Sequence, residues 1–371
     1  MTLEILEKYK ASFPKAGKSF YTLCKDKETA LTFQDVLLEP QYSEIQSRSE
    51  VILETWITPL RTLKIPIIAA NMDTICESKM AIAMGQLGGM GVIHRYMDYE
   101  KQVKEVAKTA LVLHDATSIP IAAAIGVKNG VVEQAIKLVA AGADIIVIDV
   151  AHGHHKTVVE LLTTLKTLDL TAQDIDRTPV EFIVGNVASY DGVYTLFSNG
   201  ADTVKVGVGA GSICSTRTVT GHGMPQLLAI AIAALAANSF NRPIIADGGF
   251  KNSGDIVKAL AVGANTIMTG YLLAGTDETP GRESYESKEY RGMASREAQR
   301  DFYGNDPDAP EGVVTRVAIK GSVGATIKNL IAGIKSGLSY SGASNLEELR
   351  TKGSFVHISN NAYLESLTLN D

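Results

Sequence analysis

Short apolar runs, each followed by an amphipathic stretch, recur along the chain between residues 65 and 271. They read IPIIAANMD (65–73), GMGVIH (89–94), IPIAAAIG (119–126), DIIVIDVA (144–151), EFIVGNVA (181–188), TVKVGVG (203–209), PIIADGG (243–249) and TIMTGY (266–271). Continuous β-branched and alanine-rich runs bounded by glycine suit strands buried on both faces, hence a parallel sheet. Three lead-ins, AAGADIIVID, SNGADTVKVG and AVGANTIMTG, place a glycine where it can close a helix in the left-handed conformation just before a strand. The stretches between runs include VVEQAIKLVAA (131–141) and SGDIVKALAVG (253–263), the second with Ser253 as its expected N-cap. PQLLAIAIAALAA (225–237) is apolar nearly all round, which predicts a helix buried in the chain or covered by a subunit, with Pro225 suited to the first turn. Eight strands alternating with helices predict a (β/α)8 TIM barrel, because right-handed crossovers close naturally at eight. An open doubly wound sheet is the alternative.

The predicted organisation is one domain. Residues 1–30 form an N-terminal extension, and residues 31–371 the barrel domain. A flap spans about 276–322, whose stretch from 276 to 310 is dense in charge, glycine and proline. Such a length predicts either a functional flap or a disordered linker. Composition adds little to this picture but excludes a good deal. Hydrophobic residues make up 45% of the chain and charged residues 20%, the balance of a globular protein rather than a disordered or fibrous one. A net charge of −6 without a Lys/Arg block gives no electrostatic support for nucleic-acid or membrane-surface partners. No apolar run reaches the roughly 18 residues of a membrane span, and the first residues lack a signal peptide's apolar core. Cys24, Cys76 and Cys214 have neither disulfide-framework nor zinc spacing, so reduced thiols and a cytoplasmic protein are expected.

TIM-barrel sites lie at the C-terminal ends of the strands. After the sixth run comes GVGAGSICSTRTVTGHGMPQ (207–226). Its alternating Gly207, Gly209 and Gly211 free backbone groups for a ligand. Cys214 stands in this loop among Ser212, Ser215 and Thr216, with Arg217 beyond. A polar setting beside a cation favours the nucleophilic thiolate. A buried structural cysteine is the plain alternative, and the position at a strand's end argues against it. After the seventh and eighth runs stand Asp247-Gly248-Gly249 and Gly270-Tyr271, where bare amides can approach a phosphate while Asp247 accepts from ribose hydroxyls. The cluster His152, His154, His155 reads as polar loop contacts rather than a metal site, and His94 as a structural histidine.

Taken together, the Cys214 loop, LTFQDVLLEP (31–40), IPIIAANMDT, IADGGF and YRGMAS resemble the inosine monophosphate dehydrogenase/GMP reductase family from about residue 31 to residue 358. The resemblance implies a homotetrameric TIM barrel acting on a purine nucleotide with a nicotinamide cofactor. Regulatory domains that family dehydrogenases insert near 96–119 are missing here. ANMDT, SRSEV and STRTVTGHGMPQ are similar to the reductases, and the short interval from Arg296 to Pro310 offers Arg300-Asp301 rather than the Arg-Tyr pair that activates water in the dehydrogenases. By contrast, IADGGFKNSGDIVKALAVGANTIMTGYLLAGTDETPG and Pro310-Glu311 are similar to the dehydrogenases, and Pro307-Asp308 departs from the reductase flap. The implied activity is reduction of GMP to IMP and ammonia with NADPH. The alternative is a dehydrogenase without regulatory domains, oxidising IMP to XMP with NAD.

The same resemblance implies site residues. Cys214, Thr216 and Glu311 are catalytic. Ser212, Asp247, Gly248, Gly249, Gly270, Tyr271, Gly292, Met293, Ala294 and Gly312 hold the nucleotide. Ser47, Arg48, Arg95, Asp149, Val150, Ala151, Ser336, Gly337, Leu338 and Ser339 hold the cofactor, Arg48 and Arg95 being suited to a 2′-phosphate. Backbone carbonyls of Gly209, Gly211 and Cys214 match a potassium site.

Overall fold

All eight apolar runs form strands in the computed structural model: β1 (Ile67–Ala69), β2 (Met90–Ile93), β3 (Ala122–Ile125), β4 (Ile145–Asp149), β5 (Glu181–Val187), β6 (Thr203–Val206), β7 (Ile244–Asp247) and β8 (Thr266–Thr269). The structure describes residues 30–367 apart from 115, 169, 171–177 and 282. The expected extension, with Cys24, lies outside them except for Ala30. The strands pair in parallel and close on themselves, Ile267, Met268 and Thr269 of β8 standing level with Ile67, Ile68 and Ala69 of β1. Helices α1 (Ser78–Gln86), α2 (Tyr99–Leu113), α3 (Val131–Ala140), α4 (Lys156–Thr167), α5 (Tyr190–Ser198), α6 (Gln226–Asn238), α7 (Ser253–Val262) and α8 (Val323–Tyr340) follow the eight strands in turn. The fold is a (β/α)8 TIM barrel. The interval between β2 and β3 is occupied by α2.

Alternation along the strands explains why the runs are apolar throughout. Ile68, Met90, Val92, Ala122, Ala124, Ile145, Val147, Ile183, Ile245 and Met268 fill the barrel interior. Their neighbours Ile67, Ile93, Ala123, Ile146, Val184, Ile244 and Ile267 face the helices. Each fully buried isoleucine contributes about 1.5–3 kcal/mol, so both faces demand apolar side chains. The glycines of the three lead-ins, Gly142, Gly200 and Gly263, have φ of +112°, +97° and +130°. A side chain at Gly142 would also strike Ala110.

Two local expectations change. Asn252, not Ser253, caps α7, its carbonyl oxygen accepting Asp255 N–H at 3.0 Å; Ser253 is the first helical residue. The asparagine stands one position earlier and reaches the N–H that the serine would have capped. Helix α6 is buried from Gln226 to Ala237, which accounts for its lack of a polar face, and Pro225 stands just before it.

The N-terminal end of the barrel is sealed. A hairpin of Thr55–Thr58 and Arg61–Leu63 inserts Ile57 and Leu63 beneath the interior layer. Buried Glu181 accepts from Thr58, from Leu60 N–H at 3.1 Å and from Arg61 at 2.7 Å. Access is therefore from the C-terminal end. The polar segment after β8 is ordered as an antiparallel hairpin, Ser287–Arg291 with Val314–Ala318, enclosing the helix Arg296–Tyr303.

Candidate active site

The Cys214 loop is shaped by two glycines. Gly207 has φ +147°, and an added Cβ would lie 2.3 Å from the Asp247 carbonyl oxygen. Gly209 has φ +76° and leaves room for the stem of Arg217. Arg217 lies along Gly209 and Gly223 and donates to Met224 O at 2.6 Å. Its cation is thus engaged in closing the loop. The loop turns at Gly211, whose carbonyl accepts Cys214 N–H at 3.1 Å.

Cys214 is exposed. The flap is stitched directly to it: Ser215 N–H donates to Glu311 O at 3.0 Å and Val313 N–H to Ile213 O at 3.0 Å, so Cys214 faces Gly312 as in an antiparallel pair. Gly312 suits this close approach, because a Cβ would come within 3.1 Å of Ser295 N and 3.3 Å of Gly292 Cα, tighter than most such contacts. This stitching brings together three side chains that are distant in sequence. Cys214 Sγ donates to Thr216 Oγ1 at 3.1 Å, and Thr216 Oγ1 donates to Glu311 Oε2 at 2.8 Å. The result is a proton path from thiol to carboxylate.

Behind the loop lies a buried polar cluster. Lys205, on β6, holds Asp247 Oδ2 at 2.6 Å and Asp149 Oδ1 at 2.9 Å, and also donates to Asn186. Burial alone would pull its ammonium down, but the two carboxylates outweigh burial and raise it above its usual range. Burial likewise opposes the Asp149 carboxylate, and the charges of Lys205 and Arg95 overcome it, holding that carboxyl below its usual value. Asn186 donates to Asp247 Oδ2 at 2.9 Å and Gly207 O at 2.8 Å. Asp247 is thereby fixed at the cavity wall with its second oxygen available.

These groups surround a cavity of about 520 Å³. Cys214, Thr216, Glu311, Asp247, Gly248, Gly270, Gly292, Met293, Ala294, Arg95, Asp149, Val150, Ala151, Gly209 and Gly211 all line it. Ser212, Gly249, Tyr271 and Gly312 stand beside it: Ser212 bonds to Tyr290, Gly249 packs on Gln226, Tyr271 O accepts from Lys320 at 3.1 Å, and Gly312 joins flap to loop. Burial pushes the Tyr290 phenol up to about 12. Ser47, Arg48 and residues 336–339 do not line the cavity. Ser47 and Arg48 are exposed on a short turn packed against α8, which carries Ser336, Gly337, Leu338 and Ser339. The two arginines expected at one phosphate are therefore separated in this chain: Arg95 faces the cavity and Arg48 does not.

Several cavity residues escaped the sequence reading. Lys205 and Asn186 are lone polar residues inside apolar strands, a signal that was available. Asn71, Met72 and Tyr290 lie within the ANMDT and YRGMAS motifs but were not singled out, and Lys128, Gln299 and Tyr303 carried no signal. Tyr303, from the flap helix, meets Arg95 Nη1 at 3.4 Å and lies under Lys128 Nζ, 3.5 Å from its ring centre. The flap thus has no consecutive Arg-Tyr pair, yet the fold assembles one from two elements.

Outside the cavity, His94 is buried between Glu77 and Tyr96 N–H, as expected of a structural histidine. His155 caps α4 and His154 bonds to Thr195 at 3.2 Å. Among the described residues no group of three His, Cys, Asp or Glu could hold a metal ion. Burial pushes the Cys76 thiol well up.

A closed parallel barrel with an exposed cysteine in the loop after its sixth strand and glycine turns after its seventh and eighth defines a TIM barrel with a polar, cysteine-bearing mouth. The chain belongs to the IMP dehydrogenase/GMP reductase family, an oxidoreductase family whose domain matches residues 30–368. It is 39% identical to inosine-5′-monophosphate dehydrogenase of Cryptosporidium parvum, over 91% of this chain and 94% of that one. It is 34% identical to the Aquifex aeolicus dehydrogenase, over 91% and 94%. That alignment runs over 471 positions against the 371 residues here, so the relative carries a stretch without counterpart in this chain. Identity to GMP reductase of Leishmania donovani is 31%, over 91% and 96%. A crystal structure of a GMP reductase variant from Trypanosoma brucei in complex with guanosine 5′-monophosphate superimposes with a TM-score of 0.84 at 32% identity, over 92% of this chain and 98% of that one. Among the described residues no helix is long and apolar enough to cross a membrane.

Proposed function

We propose that the protein is a GMP reductase, converting GMP and NADPH to IMP, ammonia and NADP. The observation that carries this reading is the continuous path from Cys214 Sγ through Thr216 Oγ1 to Glu311 Oε2 at the cavity wall. Guanine C2 is electrophilic, but its amine is a poor leaving group until protonated. Cys214 passes its proton along Thr216 to Glu311 and attacks C2. The same path returns that proton to the amine, which leaves as ammonia, and the ring carbon stays bonded to sulfur. The nicotinamide supplies a hydride to C2 when bound. Sulfur then departs as thiolate and takes a proton from solvent. Asp247, held by Lys205 and Asn186, accepts from the ribose, and the turns at Gly248, Gly249 and Gly270 receive the phosphate.

Arg95 and Asp149 to Ala151 line the cavity where the nicotinamide half of a cofactor would reach the base, and the buried Arg95 Nε has no partner among the described residues. Ser47, Arg48 and residues 336–339 serve the cofactor's far end in a neighbouring copy of a cytoplasmic homotetramer. The carbonyls of Gly209, Gly211 and Cys214 suit a monovalent cation as an all-oxygen donor set, although Gly211 O already accepts Cys214 N–H. They would hold potassium against the Cys214 turn and stiffen it.

A second reading has one specific observation in its favour. Oxidation of IMP to XMP ends in hydrolysis of the same sulfur adduct, which needs a group to activate water, and Arg95 with Tyr303 is placed at the cavity to do so. Nicotinamide absorbance decides between the two. The reductase reading expects GMP-dependent loss of NADPH and no NADH from IMP with NAD; the reverse pattern overturns it.

A further inference from the structure

A second cavity, of about 420 Å³, opens at the opposite, N-terminal end of the barrel, where the chain enters β7 and β8. Its described lining includes Trp56, Asn238, Asn241, Arg242, Asn265 and Arg350, and contains no carboxylate. Among the described residues the Arg350 guanidinium is held by a hydrogen bond from Nη2 to Ala264 O at 2.9 Å, while its buried Nε has no partner. Burial draws the group down to about 10, Glu347 opposing, so it is cationic at neutral pH. Arg242 is bound to Asp202 at 2.8 Å, and Asp202 is shared with Lys166 at 2.6 Å, so one carboxylate serves two cations. Trp56 belongs to the hairpin that seals the barrel. Its neighbours Thr55 and Ile57 are buried, while its own indole is 54% exposed at the cavity wall. Two guanidinium groups, with the one carboxylate bound to Arg242 shared with Lys166, favour an anion, and their planar forks match a phosphate. The volume exceeds what a phosphate fills and lies in the range of small-molecule sites, and the exposed indole offers a face for a flat ring.

We propose that this cavity binds a phosphate monoester carrying a planar ring, a nucleotide-class ligand separate from the substrate at the barrel mouth, with Arg350 and Arg242 on the phosphate and Trp56 on the ring. The inference does not depend on which of the two reactions the mouth performs.

Trp56 is the sole tryptophan of the chain, so its emission reports on this cavity alone. The full-length protein is titrated with AMP and, separately, with inorganic phosphate. AMP is expected to quench Trp56 saturably, and inorganic phosphate to compete with AMP at a higher midpoint. Arg350→Met and Asn238→Asp, the second a rim change that removes no buried contact, are each expected to weaken AMP at least about tenfold, or about 1.4 kcal/mol. Far-ultraviolet circular dichroism and turnover at the mouth verify that each variant is folded. A flat AMP titration, or quenching that Asn238→Asp leaves unchanged, overturns the site. Equal midpoints for AMP and inorganic phosphate overturn the assignment of a ring-bearing ligand.

Discussion

Lys205 illustrates how a single charged residue inside an apolar strand governs the site. It stands between Asp149 and Asp247, within 2.9 and 2.6 Å, and joins the two carboxylates. Lys205→Met leaves two carboxylates facing each other, and denaturant unfolding is expected to show a loss of about 3–5 kcal/mol. The proposed proton path from Cys214 through Thr216 to Glu311 responds differently. Thr216→Val interrupts it without disturbing the nucleotide cradle, so kcat is expected to fall by about 10²–10⁴ while KM for the nucleotide stays within a few-fold. Glu311→Gln should give a similar loss, and the double variant little more, since both act on one proton. Away from the site, His94 and then Lys101, at 3.4 and 2.8 Å, hold the Glu77 carboxyl down from the usual 4.5 to about 2 against burial. A lowered pKa stabilises the fold above the unfolded value and loses that contribution as pH falls through the folded one. Stability is therefore expected to decline between pH 4.5 and about 2. Glu77→Gln should flatten that limb in acid titrations of unfolding. At this scale Cys214 and Asp247 were legible because each sits at a strand's end. Tyr303 was not, because only the folded flap carries it to Arg95.

The flap is the element whose nature the sequence left open. Its hairpin strand Ser287–Arg291 does alternate, with Lys288 and Tyr290 buried, but a buried lysine disguises the pattern. The fold accommodates Lys288 by giving its ammonium the carbonyls of Thr276 and Thr279, at 3.0 and 3.2 Å. Arg291 anchors the hairpin, clamped between Asp73 at 2.5 Å on the loop after β1 and Asp301 at 2.7 Å in the flap helix. Met293 assists by accepting Asp73 N–H on its sulfur. Arg291→Met is expected to release the flap while the barrel stays folded. Hydrogen exchange should show lost protection across 287–318 with β1–β8 unchanged, and KM for the nucleotide should rise; unaltered protection in the flap would contradict the anchoring role. The barrel strands, by contrast, were legible throughout, since burial on both faces leaves β-branched and small residues as their main choices.

Across the whole molecule, one end of the barrel is sealed by the Ile57–Leu63 hairpin and the other presents the cysteine loop, so chemistry is confined to a single mouth. Closure of eight strands was readable from the repeat. The partition of cofactor residues was not, because Arg48 and Arg95 carry the same charge and only the fold separates them. The central claim is that sulfur displaces the amine before hydride arrives. It is tested by incubating the protein with GMP and oxidised cofactor, quenching in acid, and weighing the Cys214 peptide. The account predicts a purine nucleotide bonded to Cys214, with one ammonia released for each adduct. An unmodified thiol with no ammonia released, alongside an adduct formed from IMP and NAD, would contradict it.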